Sequence, residues 1–126
     1  MPEAERISWR RQWLALDDQR LHLVDALCVV QQQLESQPGW FTLSDDARAA
    51  AELAGGLSEI DGNLRVIERR LRRRLRVLPI GPTHDVQGVV ENLRVAQRLL
   101  ADDDHPIVHG LISRAVQDLA LMRDVS

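Results

Sequence analysis

Apolar residues return every three or four positions along most of the chain, the period of an α-helix with one covered face, and no segment carries a strand signal. From Glu3 to Gln37, residues such as Ile7, Trp13, Leu16, Leu23, Leu27 and Leu34 keep that spacing with no glycine or internal proline, so one long helix is predicted. Gln37-Pro38-Gly39 ends it, Trp40-Phe41-Thr42-Leu43 connects, and Ser44 or Thr42 is placed to cap a second helix whose first turn carries Asp45 and Asp46. That helix holds the clearest pattern: Leu53, Leu57, Ile60, Leu64, Ile67, Leu71, Leu75 and Leu78 form a narrow seam. The register survives Gly55, Gly56 and Gly62, which predicts a continuous helix, with Gly55-Gly56 the point where it would kink or split and Ser58 the cap of the second piece.

Pro79-Ile80-Gly81-Pro82 breaks the pattern, and Thr83 or Asp85 opens a third helix through Val86, Val89, Val90, Leu93 and Leu100. Asp102-Asp103-Asp104-His105-Pro106 closes it and opens a fourth, carrying Ile107, Leu111, Ala115 and Leu119. The expected fold is therefore all-α: a single domain over residues 1–126, built as a bundle of about four antiparallel helices, the long second one kinked, if anywhere, at Gly55-Gly56.

Composition narrows the class. Of 126 residues, 44% are hydrophobic and 28% charged, which suits a globular domain. No apolar run is long enough to span a bilayer and no signal-peptide core is visible near the start, so a soluble, cytoplasmic protein with no membrane partner is expected. Cys28 has no second cysteine to pair with and lies in the apolar run from Ala26 to Val30, where it is expected to be a buried small hydrophobe. All sixteen basic residues are arginine, a bias that codon usage explains and that by itself locates no site.

Position changes that picture. Residues 1–64 carry a net charge of −6 and residues 77–126 one of −3, whereas residues 65–76 carry +6, so the overall −3 hides a basic island. At about 100° per residue, Arg65, Arg69, Arg72 and Arg76 fall within about 60° of one another, away from the leucine seam, with Arg73 at the border and Arg70 and Arg74 turned elsewhere. A stripe of about 16 Å is expected to face outward. Like charges so spaced repel by a few tenths of a kcal/mol per pair, roughly, and inside the segment only Glu68 offsets them, so an anionic partner is expected. Nucleic-acid phosphate and an acidic protein surface both satisfy that demand, as would the acids of the first helix or an anionic lipid, and plain solvation of the stripe is the remaining alternative. Trp9, Trp13, Trp40 and Phe41 are expected to anchor the core rather than stack on bases.

Catalytic chemistry is missing. Asp17-Asp18 and Asp45-Asp46 are neighbours in sequence and diverge on a helix, Gly55-Gly56 has no following lysine to make a phosphate loop, and no serine has a nucleophile-elbow context. His105 and His109 have a spacing compatible with metal, but acidic capping and Pro106 account for the motif. No catalytic residue, metal, cofactor or small-molecule substrate is expected, and the chain is not expected to be an enzyme.

The length, the all-helical pattern, the lack of catalytic groups and the stripe Arg65, Arg69, Arg72, Arg73 and Arg76 together resemble the small subunits of multisubunit CRISPR effector complexes, an antiviral defence machinery. The resemblance implies a subunit of a ribonucleoprotein, its basic face meeting RNA or single-stranded DNA backbone without sequence specificity, and its other faces meeting further subunits, including copies of itself. The competing expectation is a helical interaction module, such as a dimeric bundle, a chaperone or an assembly adaptor, whose arginines dock an acidic protein.

Overall fold

A computed structural model describes the backbone of residues 1–100 and 106–125, with side chains at 1–100 and 112–122. Among these residues there are five α-helices and no strand: α1 Glu3–Glu35, α2 Asp45–Ala54, α3 Leu57–Arg76, α4 Val86–Leu99 and α5 Pro106–Val125, with a short 3-10 turn at Trp40–Thr42. The all-α class holds. No described helix is long and apolar enough to cross a membrane.

The helix ends follow local chemistry. α1 stops where Pro38 cannot continue it, and Gln37 N donates to Leu34 O at 3.1 Å to tighten the last turn. Ser44 caps α2, its Oγ accepting from Ala47 N at 3.2 Å, and Asp85 caps α4, its Oδ1 accepting from Gln87 N at 3.1 Å.

The expected continuous second helix is two helices. Gly56 stands at φ 83°, the left-handed region that ends a helix, and Gly55 N still donates back to Ala51 O at 2.9 Å. The Gly56 carbonyl then accepts from Ile60 N at 3.1 Å, so Gly56, rather than Ser58, is the residue from which α3 starts, at Leu57. The apolar register carries across this break because the seam depends on residue spacing, while the chain direction depends on one glycine dihedral.

The described residues gather into two compact units, one of Met1–Ala15 with Arg74–Ser126 and one of Leu16–Arg73. In the first, Trp13, Val95 and the fully buried Val90 form the core. α4 packs along α5, with Gln97 Nε2 donating to Ser113 Oγ at 2.9 Å. The segment 79–85 is tied to the start of α1 by polar groups: Arg10 donates to Pro79 O at 2.8 Å, Arg6 donates to Pro82 O, and Glu3 Oε1 accepts from His84 N at 2.7 Å and Asp85 N at 3.1 Å. Those two backbone N–H groups, His84 first, hold the Glu3 carboxyl below its ordinary value near 4.5. Burial pushes the Arg10 guanidinium down, and the charge of Arg6 acts in the same direction. Glu91 is buried with Gln87 donating to it and with Arg11 at 3.5 Å and Arg94 at 3.9 Å, so its charge is compensated.

In the second unit Leu34, Trp40, Leu64 and Leu71 are buried, and so is Asp17, which receives the Arg20 Nε at 2.7 Å. Two expectations fail here. Phe41 is 73% exposed although its neighbour Trp40 is buried, because successive residues of the turn point in different directions. Cys28 is exposed, lying about 110° around α1 from the Leu27-to-Leu34 face. Trp13 and Trp40 do anchor the interior, as the sequence implies. His105 and His109, weighed as metal ligands, lie outside the residues whose side chains are described.

Two stability measurements check this account. Gly56→Ala, forced into a left-handed dihedral, lowers stability by about 1 kcal/mol in urea unfolding, whereas Gly62→Ala, in open space on α3, raises it by up to ~1 kcal/mol. Because the folded-state Glu3 carboxyl titrates below its ordinary value, its contribution is complete above that value and is lost as pH falls through the folded one. Wild type should therefore lose more thermal stability than Glu3→Gln between neutral pH and about pH 3.

Candidate nucleic-acid interface

The site begins with the seam of α3. Leu64 and Leu71 are seven residues apart, two turns of helix, and both are buried, with Ile60, Ile67 and Leu75 half-buried beside them. Residues displaced by more than a quarter turn from that line face solvent. Arg65, Arg69, Arg72, Arg73 and Arg76 are all exposed.

Three of the five come together. Arg65, Arg69 and Arg72 line an open groove of about 530 Å³ with Asp61, Leu64 and Glu68. They spread over about 10 Å of helix axis. Arg73 is exposed but does not line the groove, and Arg76, the last residue of α3, belongs to the other unit. The two remaining arginines of the island are engaged differently. Arg74 donates to Gln12 Oε1 at 3.3 Å and holds its guanidinium carbon 5.9 Å from the centre of the Trp9 ring, while Arg70 lines a separate cleft.

The groove also contains a charged residue that the segment 65–76 leaves out. Asp61 Oδ2 lies 3.1 Å from Arg65 Nε, an i,i+4 pair, with the Arg65 side chain exposed and that of Asp61 half-buried. An acid four positions before the first arginine was the sequence signal, just outside the basic segment. Asp61 and Glu68 cancel two of the three guanidinium charges, so the groove keeps one net positive charge. Arg69 and Arg72 make no ion pair among the described residues, and their guanidinium groups carry forked donors of the geometry that suits an oxyanion.

Chemically, the groove can hold anions by charge-assisted hydrogen bonds. Among the described residues no three His, Cys, Asp or Glu side chains gather as metal ligands would. Comparison of the chain with protein-family models, with characterised proteins and with solved structures found no match.

Seam and stripe should separate in mutagenesis. Leu71→Ala costs about 2–4 kcal/mol in chemical unfolding, whereas Arg69→Ala stays within about 0.5 kcal/mol, because one empties covered volume and the other removes a solvated side chain.

Proposed function

We propose that the chain is a non-catalytic nucleic-acid-binding subunit that grips the phosphate backbone of RNA or single-stranded DNA through the arginine face of α3. The observation that carries this reading is the groove in which Arg65, Arg69 and Arg72 converge, two of them without an ion pair among the described residues. Guanidinium groups on a rigid helix meet phosphate oxygens with forked donor geometry and read no base edge, so binding is independent of sequence. The small net charge of the groove implies modest affinity for one copy. Useful binding then comes from repetition, which agrees with the resemblance to subunits that act in several copies within a CRISPR-type ribonucleoprotein.

A second reading, docking of an acidic protein, is favoured by the Arg65 and Asp61 pair, since the groove already accommodates a carboxylate, and by Phe41 and Leu53, 73% and 70% exposed in the same unit. The two readings differ in a direct measurement. Fluorescence anisotropy with labelled single-stranded RNA and DNA, at about 50 and about 200 mM salt, should show binding whose log–log salt slope is roughly −2, the value for three phosphates on a single strand. Arg69→Glu with Arg72→Glu should abolish that binding, and Asp61→Asn should tighten it. Salt-independent association, or an affinity unchanged in the double variant, would remove the nucleic-acid reading and leave the protein-docking one.

A further inference from the structure

On the opposite side of the α3 seam, within the unit Leu16–Arg73, a second cleft of about 460 Å³ opens between α1 and α3. Its apolar lining is Leu23, Val66 and Ile67, and its polar lining is Gln19, His22, Asn63 and Arg70. The residues come from matched helix faces, at i, i+3 and i+4 on α1 and at i, i+3, i+4 and i+7 on α3. Val66 is the one apolar residue of the basic segment that falls off the leucine seam, and it is 39% exposed, so core packing does not account for it.

We propose that this cleft binds a nucleobase together with its phosphate, as a mononucleotide or as one base of a bound strand. The volume lies in the range of small-molecule sites, which run from roughly 300 to 1,000 Å³. Branched aliphatic side chains offer a flat apolar surface to a ring rather than to an ion. Gln19 and Asn63 each present a donor and an acceptor, the combination that pairs with the edge of a base, and the His22 ring adds a further hydrogen-bonding group. No carboxylate lines the cleft, which disfavours a cationic ligand. Arg70, its only permanent charge, makes no ion pair among the described residues and suits a phosphate. By helical geometry Arg73 falls between Arg69 of the groove and Val66 and Arg70 of the cleft, so guanidinium groups continue around α3 from one to the other.

The proposal deepens the nucleic-acid reading by adding a base subsite, but a free nucleotide tests it without any polymer. In isothermal titration of the full chain at fixed ionic strength, AMP should bind, while ribose 5-phosphate and inorganic phosphate should bind at least ~10-fold more weakly, because they lack the ring that carries the edge contacts. Asn63→Asp, nearly isosteric and on an exposed helix position, should weaken AMP by ~10-fold or more by placing a carboxylate in the cleft. Val66→Trp, which fills the cleft, should abolish binding if circular dichroism shows it folded; Asn63→Asp decides the matter if it is not. Absence of AMP binding, equal binding of ribose 5-phosphate, or an Asn63→Asp affinity equal to wild type would overturn the proposal. AMP binding that survives Arg69→Glu with Arg72→Glu supports it. Salt-dependent RNA binding without AMP binding defeats the cleft alone, and AMP binding without RNA binding defeats the backbone grip alone.

Discussion

Leu64 and Leu71 sit on one line of α3, and covering them, at about 1.5–3 kcal/mol each, fixes the rotation of that helix about its own axis. The rest of the unit follows from this rotation. With the leucine line turned inward, Arg65, Arg69 and Arg72 have no direction but outward, and turning the helix the other way would bury guanidinium groups without partners at a cost far above what the leucines supply. The same rotation sends Val66 and Arg70 to the far flank, where they line the cleft with side chains of α1. One seam thus sets two surfaces, one polar and charged, the other with an apolar floor.

Holding these surfaces costs something locally. Arginines three and four residues apart repel one another, and the helix relieves only part of that through Asp61 and Glu68. What is left is a set of donors whose backbone positions are set by a helix instead of by a loop, while their exposed side chains keep rotamer freedom. The exposed Phe41 and Leu53 of the same unit show that the chain leaves apolar surface uncovered as well. Exposed guanidinium groups and uncovered apolar residues thus share one unit.

Most of the helical framework is legible in the chain itself, because helix ends are local events. Ser44 and Asp85 cap where their side chains reach a backbone N–H two or three residues ahead, Pro38 stops α1, and Pro106 starts α5, all within a few residues of the positions the sequence indicates. The arginine stripe is legible for a similar reason, since its members and the seam belong to one helix and the helical repeat alone relates them.

Other features needed the tertiary structure. The left-handed dihedral at Gly56, which divides the expected long helix, leaves the spacing of leucines untouched and so leaves no trace in the periodicity. Burial of Trp40 beside an exposed Phe41, and exposure of Cys28 within an apolar run, depend on which sides of the turn and of α1 the unit covers. The cleft joins residues more than forty positions apart, and the groove gains Asp61 from beyond the basic segment. Periodicity, caps and breaks act within a turn or two of helix, so the sequence by itself determined the class of fold, most helix ends and the outward face of the arginines. Which apolar residues are covered, and which polar groups meet across the fold, was decided only when distant segments packed, because burial belongs to the assembled surface and not to any single element.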